Sequence, residues 1–500
     1  MKSTLKTCSA LASVASFLAL GQSAFAGGSD IWFVPLTESA PVTAPNSLEE
    51  VSAPWVVPTG VMQMNLLSMR EIEDGVLSPG QSIIRVPDEA QAALNRGLST
   101  ASMFDMIAYD PSGEYLFIPH ETIVGAGVSR YDFMTEETHV LLRGDLGGIE
   151  GDWSADFGAF DPCRYTPNHT LFLGEEWSGQ GRIIEVLNPH AAPEDIEWRE
   201  LHSIANVSHE GINFSPRNKR PIYFVDEDRS GSIYKFVMAT PGDYTKGQTF
   251  VLSVNDFAGD PSQNYNAAAN IGQPRTGMAT WVPITDFWGN PLPGVTNPFE
   301  VTESLGRPGR NAADDVNGTP FGRPEDMEVG VLRNRNEVLY FTATSESTVY
   351  TVEIIGGDRA KVGVLVGPDT PKNLGFPGTS GVLNSPDNLA QDALGNIYII
   401  EDAPNGSSTG GDIWYARDKN NDGVAESLDH FMSIRADGCE ATGMIFNPAN
   451  PCEFVVAVQH PDSTNLTSTP NGLGDAVWKF NLDYVDNQQF VQALKEEVAK

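Results

Sequence analysis

The chain has 500 residues, with 66 acidic against 31 basic side chains and a formal net charge of −35 at pH 7. A surface this acidic repels nucleic acid and anionic membranes, which argues against functions on either of them. It also repels a phosphate-bearing substrate unless bound metal ions invert the local field.

Residues 1–26 have the features of a secretory signal peptide. Two lysines precede a short apolar stretch from Ala10 to Leu20, and Ala24-Phe25-Ala26 forms an A-x-A cleavage site. No later stretch is long and apolar enough to span a bilayer. The sequence therefore predicts an exported protein, periplasmic or extracellular, whose mature part is a single domain over residues 27–500.

One submotif recurs six times in the rest of the chain. A polar residue opens a short apolar strand, a turn follows, and a second apolar strand ends in acidic or polar side chains. A tight antiparallel hairpin brings the start of its first strand beside the end of its second. Such repeats predict an all-β fold, a six-bladed β-propeller whose first strands start at one mouth of a central channel. The opening residues are Asp105, Asp156, Glu210, Glu325, Asp387 and Thr442.

The interval between the third and fourth openers is about twice the others. Within it, the stretch from about residue 242 to 322 is rich in Gly, Pro and Asn and has no clear periodicity. We expect this stretch to be an irregular insertion that covers part of the mouth.

Acidic residues gather at the predicted mouth, both as openers and at the ends of the second strands. Crowded carboxylates either splay into solvent, where they only make an acidic protein more soluble, or bind hard cations between them. Their register over five hairpins favours cation binding, and oxygen-only ligands favour calcium, magnesium or manganese. The acids are Asp105, Asp156, Glu175, Glu176, Glu210, Asp226, Asp228, Glu325, Asp387, Glu401 and Asp402.

A separate segment has the ligand spacing of an EF-hand calcium loop, with a glycine at the sixth position and an acid at the twelfth. No obvious helices flank it, and an Asx-rich turn between strands is the alternative interpretation. We expect a structural calcium site there. Its ligands would be Asp418, Asn420, Asp422, Glu426 and Asp429.

A few other side chains have positions that suggest a role. Arg323 directly precedes the fourth opener and suits bidentate capture of phosphate, although a simple ion pair with the nearby acids explains it equally well. Cys439 and Cys452 flank one predicted hairpin, so they are placed for a disulfide. Three histidines lie at hairpin ends, where a histidine is usually just a polar residue. They are His120, His209 and His460.

The motifs at the hairpin ends resemble those of the PhoX alkaline phosphatases. The matching stretches are GEEWSGQGRIIEV, SHEGINFSP, IYFVDEDRSGSIYKFV, RPEDMEV, SPDNLAQDALGNIYIIED and EATGMIFNP followed by VQHP, in this order. Members of this family, long catalogued as a domain of unknown function, are secreted six-bladed propellers that hydrolyse phosphate monoesters with iron and calcium ions at the channel mouth. The resemblance implies that Arg323 grips the phosphate. It also implies a metal-ligand set of Glu175, Glu176, Glu210, Glu325 and Asp387, with Asp226, Asp228 and Asp402 as further candidates.

The chain departs from the family at one position. Family members carry a cysteine immediately before the Glu-Glu pair, where its thiolate bridges two irons, whereas this chain has Gly174. Cys163 lies earlier, on the other side of the turn, and cannot simply stand in. Without sulfur the site holds harder ions, or holds iron less tightly. We therefore expect a divergent member that binds calcium, with iron or another transition metal in question.

Three functions remain open on the sequence alone. The first is a secreted, monomeric, metal-dependent phosphomonoesterase acting on a small-molecule phosphoester, with Arg323, Glu325 and Glu210 as catalytic residues. The second is a calcium-dependent propeller lactonase, which usually needs only a few Glu, Asn and Asp ligands. The third is a non-catalytic, calcium-stabilised propeller that binds a partner, which Gly174 favours. The large acid set favours the first. Motifs for nucleotide cofactors and for covalent serine catalysis are absent from the sequence.

Overall fold

The computed structural model describes residues 31–44, 47–69, 84, 86, 102–402, 404, 408–461 and 472–498. The predicted signal peptide lies outside these residues. Over the described chain, no helix has the length and apolar character needed to cross a membrane.

The described chain is all-β, with few helices. A short N-terminal part contains α1 (Leu48–Ser52), β1 (Trp55–Val56) and β2 (Met62–Ser68). Two four-stranded antiparallel meanders follow, in the orders β3-β4-β5-β6 and β7-β8-β9-β10. Their strands are β3 (Ala108–Tyr109), β4 (Tyr115–His120), β5 (Gly127–Asp132), β6 (Glu137–Arg143), β7 (Phe160–Tyr165), β8 (Leu171–Glu175), β9 (Ile183–Val186) and β10 (Trp198–Glu200).

A nine-stranded sheet comes next in the chain. Its strands are β11 (Ile212–Phe214), β12 (Pro221–Val225), β13 (Ile233–Met238), β14 (Gly247–Val254), β15 (Gly277–Pro283), β16 (Pro324–Val331), β17 (Glu337–Ala343), β18 (Thr348–Gly356) and β19 (Arg359–Val366). The order β11-β12-β13-β14-β15-β19-β18-β17-β16 shows two meanders joined edge to edge through β15. The predicted insertion, 242–322, thus contains β14, β15 and the helix α2 (Pro308–Asp315), and only the parts between these elements are irregular.

Two further sheets are each completed by an N-terminal strand. Their strands are β20 (Pro386–Gln391), β21 (Ile397–Glu401), β22 (Asp412–Arg417), β23 (Ser427–Ile434), β24 (Glu440–Phe446), β25 (Glu453–Gln459) and β26 (Ala476–Asn481). β1 pairs with β23, and β2 pairs with β26. The chain ends in α3 (Gln488–Val498). These pairings bring the N-terminal part of the chain against the C-terminal part, and they cover the outer edges of β23 and β26.

The sheets stack face to face in a propeller-like arrangement. Every residue of β8, β12 and β21 is buried, so these strands read as continuous apolar runs rather than as alternating ones. First strands of successive meanders also contact one another. Gly211 N donates to Glu325 O at 3.3 Å, and Thr442 Oγ1 donates to Phe104 O at 2.9 Å. The first strands therefore meet in the middle of the molecule.

The predicted disulfide is wrong. Cys439 and Cys452 are both free and buried, and both belong to the hydrophobic cluster between the last two sheets. Cys439 Sγ contacts the carbonyl oxygen of Ala436, while Cys452 packs near α3. Lying at the two ends of one hairpin in sequence does not bring these thiols together, because each enters the core at its own place.

Trp32 ties the N-terminal segment to the C-terminal helix. Its ring stacks on Phe490 with centroids 4.7 Å apart, and its Nε1 donates to Tyr398 Oη at 3.1 Å. Trp32→Ala empties a buried aromatic site, so we expect it to lower the free energy of unfolding by about 3–5 kcal/mol in urea titrations. Val34 is 70% exposed, and Val34→Ala should change that free energy by less than about 0.5 kcal/mol. Equal effects of the two variants would contradict this packing.

Candidate metal centre

A shared irregularity at the start of the first strands positions the acids. In β7, β16, β20 and β24 the pairing with the second strand skips two residues, which is the pattern of a bulge. The skipped pairs begin with Asp161, Glu325, Asp387 and Thr442. In each sheet the bulge follows the pairing of the start of the first strand with the end of the second strand. These four side chains therefore occupy equivalent places at one end of the sheets.

Left-handed backbone marks the same positions. Ala159, Arg323 and Ser385 have φ of 46°, 54° and 48°, and each lies two residues before a bulge acid. Non-glycine residues rarely adopt this conformation, so the recurrence identifies a common local structure. The opener of the second repeat is therefore Asp161. The prediction of Asp156 was wrong because the Asp-Pro at 161–162 is part of the bulge, not of the hairpin turn.

Asp156 has a different task. Its Oδ1 accepts from the backbone N–H groups of Gly125 and Phe157, both at 2.8 Å, and its Oδ2 accepts from Gly148 N at 2.8 Å. A carboxylate with three backbone donors is already satisfied. Asp156 thus fastens the loops before β7 and does not reach the metal centre.

The first carboxylate cluster joins three different sheets or meanders. Oxygens of Glu210, Glu325 and Asp387 all lie within 4.8 Å of one another, and the first two side chains are almost fully buried. Glu210 Oε2 has no hydrogen-bond partner among the described residues. Burial raises the pKa of Glu210 well above its ordinary value, and the charges of Glu325 and Asp387 raise it further. Buried carboxylates that converge in this way, with an unpartnered oxygen, are the arrangement expected of the ligands of a metal cation.

The second cluster contains two residues that the sequence analysis missed. Oxygens of Asp105, Glu121 and Asp161 also lie within 4.8 Å of one another. Gln459 Nε2 donates to Asp105 Oδ2 at 2.9 Å, whereas Asp105 Oδ1 and Asp161 Oδ1 have no partner in the described part of the chain. Burial raises the pKa of Asp161 well above normal, and the charges of Glu121 and Glu325 add to this. Since Glu325 belongs to the first cluster, the two clusters are electrostatically linked.

The acidic pairs at the ends of the second strands divide by alternation. Successive side chains of a strand point to opposite faces. In the pair Glu175-Glu176, the first residue faces its own sheet, and the pKa of Glu176 is raised by burial and then by the charges of Glu121 and Asp161. The pKa values of the equivalent residues after the other second strands are also raised by burial and by the charges of neighbouring acids. These residues are Glu121, Glu227 and Asp402.

The structure does not bring Glu175 into the metal centre. Arg182 Nη2 and Nε donate to its two oxygens at 2.5 and 2.8 Å, and backbone N–H groups of Gln180 and Arg182 donate as well. Both side chains are buried. The prediction of Glu175 as a ligand overlooked this internal ion pair, which together with the backbone donors already engages both oxygens of Glu175.

Asp226 and Asp228 are likewise engaged by an arginine. Arg310 from α2 binds both oxygens of Asp226 at 2.7 Å, and its Nη1 donates to Asp228 Oδ2 at 2.9 Å. Glu401 accepts from Asn384 N, Asp412 N and Trp414 Nε1. Both aspartates and Glu401 are therefore engaged by partners outside the clusters. Asp402, in contrast, is influenced by the first cluster, because burial and the charges of Glu440 and Glu325 raise its pKa to about 8.

Arg323 lies among the acids, as the sequence predicts. Its Nε donates to Glu227 Oε1, its Nη2 lies 3.1 Å from Glu325 Oε1, and its side chain is 34% exposed. Burial lowers its pKa, but the charges of Glu325 and Glu227 outweigh this and raise it. Arg323 is therefore a permanent cation, part of which reaches solvent next to the first cluster.

The three histidines do not enter the clusters. His120 is buried between Ser102 O and Ser129 Oγ, and burial lowers its pKa to about 3. His209 is fully buried against Phe224, and burial also lowers its pKa to about 3. His460 lies 3.1 Å from Glu440; although burial alone lowers its pKa, this carboxylate raises it to about 10.

The EF-hand-like segment forms a turn between β22 and β23. Asp418 accepts from the backbone of Asp422 and Gly423 at 3.1 and 2.7 Å, which is an Asx-type turn. Glu426 accepts from Lys419 N and from Asn420 Nδ2. Asp429, at the twelfth position, is buried on β23. Its carboxylate pairs with the Arg417 guanidinium at 2.8 Å, so it faces away from the loop. The alternative interpretation, an Asx-rich turn, fits these contacts.

A family model described as alkaline phosphatase PhoX matches residues 135–462, which is well over half of the chain. The chain belongs to the PhoX alkaline phosphatase family. The resemblance seen in the motifs is thereby confirmed, and membership makes the protein a hydrolase of the phosphatase class. Among curated proteins, none matches the sequence.

The structural comparison agrees on the fold. PhoX of Pseudomonas fluorescens, solved with vanadate as a transition-state analogue, superposes with a TM-score of 0.58 and 15% identity, covering 91% of this chain and 99% of that one. A catalytically inactive virginiamycin B lyase from Staphylococcus aureus, solved with quinupristin, superposes with a TM-score of 0.38 and 9% identity. That match covers 84% of this chain and 99% of the lyase, and at so low a score it carries no argument.

A thiolate-bridged pair of irons does not fit this PhoX-family member. A Cβ atom built on Gly174 would lie 2.6 Å from Pro162 Cγ and 2.7 Å from His209 Cβ, so those residues fill the place of a side chain. Cys163 is buried in an apolar cluster, and burial raises the pKa of its thiol. The clusters instead offer carboxylate oxygens, of which Asp105 Oδ1, Asp161 Oδ1 and Glu210 Oε2 lack partners among the described residues. This donor set fits a hard cation.

The sequence contains a signal for Glu121, one of the residues that were missed. Glu121 follows His120 just as Glu176 follows Glu175, so counting by two along each second strand would have found it. Arg182 and Arg310 have no comparable signal, because they reach their acids from a turn and from a distant helix.

The raised pKa values predict how stability depends on pH without cations. In the unfolded chain these carboxyls ionise near pH 4, whereas in the folded protein Glu227 and Asp402 ionise only near 7 and 8. Between these values the unfolded state binds fewer protons, so stability falls as the pH rises from about 4 to about 8. We expect the Tm in chelator to fall over this window and calcium to restore it at pH 8.

Two isosteric variants sharpen that measurement. Asp161→Asn removes one charge from the second cluster, so its Tm should depend less on pH and gain less from calcium. Glu353→Gln, on β18, should behave as the unchanged protein does. A flat pH profile, or an equal gain from calcium in Asp161→Asn and the unchanged protein, contradicts the assignment.

Proposed function

We propose that the chain is a secreted, metal-dependent phosphomonoesterase that acts at the mouth where its carboxylate clusters meet. The observation that carries this proposal is the juxtaposition of two buried carboxylate clusters with a partly exposed arginine in a PhoX-family fold. Glu210, Glu325 and Asp387 lie within 4.8 Å of one another, and Arg323 contacts Glu325. A phosphate needs cations and a fork of N–H donors, and this surface supplies places for both.

The mouth is proposed to belong to a six-bladed propeller. The nine-stranded sheet resolves into two meanders of four strands bridged by β15, which together with the other four sheets makes six units. Residues 27–500 would then be one domain, with the β14–β16 connection lying over the mouth. Removal of residues 1–26 and export would place the enzyme in the periplasm or outside the cell.

Calcium is the proposed cation in both clusters. The side chains of Glu210, Glu325 and Asp387 would hold one ion, and those of Asp105, Glu121 and Asp161 another, with Glu176 beside them. Such ions supply Lewis-acid polarisation of the phosphoryl group and make an attacking water more acidic. The protein's own contribution is to keep these oxygens buried and converged, so that little reorganisation is needed when the substrate arrives.

Arg323 is the proposed phosphate-binding residue. Its Nε and Nη2 are held by Glu227 and Glu325, and neither contact uses Nη1. The remaining donors would stabilise the charge that develops on the equatorial oxygens during phosphoryl transfer. Glu325 would thus act twice, as a cation ligand and as a support for Arg323. The vanadate bound by the Pseudomonas PhoX supports a phosphoryl-transfer role for this mouth by analogy. Gly174 is the argument for a purely binding propeller, but it removes only the thiolate ligand and leaves both carboxylate clusters in place. No feature of the described residues favours a lactonase.

Arg323→Lys and Glu325→Gln test the proposal. With calcium present, the purified protein should release phosphate from a chromogenic monoester and leave a chromogenic lactone intact. Arg323→Lys keeps the positive charge but loses the paired N–H donors of the guanidinium, so kcat should fall on the order of 10²-fold. The kcat of Glu325→Gln should fall at least as far, whereas Glu353→Gln should keep full activity. Absence of phosphate release from the calcium-loaded protein, or full activity in both mouth variants, rejects the proposed function.

A further inference from the structure

The guanidinium of Arg323 is held by carboxylates from two different hairpins. Glu325 follows it closely in sequence, but Glu227 comes from the end of the second strand of the preceding meander. Arg323 Nε donates to Glu227 Oε1, and Glu227 is only 14% exposed while Arg323 is 34% exposed. The Glu227 carboxylate is therefore the more buried member of this ion pair.

The backbone around Glu227 is fixed on both sides. Glu227 N donates to Ser208 O at 2.8 Å, and Arg323 N donates to Asp228 O at 3.0 Å. Arg310 holds Asp226 through two hydrogen bonds and Asp228 through one. The backbone of Glu227, between these two aspartates, is therefore held in place, and its side chain extends from this fixed turn to Arg323.

The backbone of Arg323 gives a reason for such support. Its φ of 54° is in the left-handed region, which is unfavourable for a non-glycine residue and persists only when neighbouring contacts hold it. A long arginine side chain would otherwise sample many rotamers, and fixing it costs conformational entropy. A carboxylate on Nε fixes both the rotamer and the plane of the fork before any ligand arrives.

We propose that Glu227 is a positioning residue for Arg323, one that sets the plane of its guanidinium for phosphate; this inference rests on the proposed function. Glu227 acts through Arg323 and not on the substrate. Arg310 then contributes indirectly to the position of Arg323, because it fixes the turn that carries Glu227. Nothing in the linear sequence joins these residues, which come from the turn after β12, from α2 and from the position before β16.

A double-mutant cycle tests the inference by phosphate binding to the calcium-loaded protein, measured by calorimetry with inorganic phosphate. Glu227→Gln should weaken phosphate binding about tenfold, the size expected for contacting residues in one ion-pair network. In the Arg323→Ala background the same substitution should have no further effect. Additive losses, or unchanged phosphate binding in Glu227→Gln, would overturn the proposal.

A matched control separates positioning from simple stabilisation. Glu185 is a buried glutamate that pairs with Arg199 at 2.7 Å on β9, away from the clusters. Glu185→Gln should lower Tm without changing phosphate binding, whereas Glu227→Gln should change phosphate binding at a nearly unchanged Tm. A fall in Tm alone for Glu227→Gln means that its role is structural, which also overturns the proposal.

The same variants distinguish this inference from the proposed function. If the unchanged protein binds phosphate but does not turn over a monoester, the phosphomonoesterase assignment fails while the cycle still decides the role of Glu227. Among active variants, Glu227→Gln should raise KM and the phosphate inhibition constant more than it lowers kcat.

Discussion

Carboxylates from different hairpins converge in a buried space, where their oxygens lie close together. Their mutual repulsion limits which groups can surround them, because it has to be compensated by protons or cations. Two charges about 4 Å apart repel by about 4 kcal/mol at a surface-like dielectric. The cluster of Glu210, Glu325 and Asp387 contains three such pairs within 4.8 Å. A fold that retains this arrangement must bind protons or cations there, because no other partner reaches Glu210 Oε2 among the described residues. In the proposed function, calcium resolves this repulsion above pH 7.

The rest of the acid set divides according to this constraint. Glu175, Asp226 and Glu401 face their own sheets, and each is neutralised or satisfied there, by Arg182, by Arg310 or by N–H donors. The residues one position later lie near the clusters instead: Glu227 holds Arg323, and burial together with the charges of Glu121 and Asp161 raises the pKa of Glu176. The period of two in a β-strand thus separates a supporting layer from a binding layer. The long connection before β16 contributes to the supporting layer through Arg310.

Much of this architecture could be predicted from the sequence, and the failures have physical causes. Hairpin repeats with acids at both ends indicated sheets whose first strands meet, and they identified Glu210, Glu325, Asp387 and Arg323 as neighbours. Glu175 was assigned wrongly because a dipeptide of acids does not reveal which one faces inward. Asp161 was hidden because Asp-Pro usually marks a turn, and only the backbone shows it inside a bulge. Long-range partners such as Arg310 depend on the path of an irregular segment, which no periodicity describes.

The central claim is that the two carboxylate clusters hold hard cations. Diffraction from crystals grown in calcium, recorded at long wavelength, locates calcium by its anomalous signal. The account predicts one peak about 2.3–2.6 Å from oxygens of Glu210, Glu325 and Asp387 and another at the same range from Asp105, Glu121 and Asp161. Peaks that appear only elsewhere, or clusters whose carboxylates have turned apart without an ion, would contradict it.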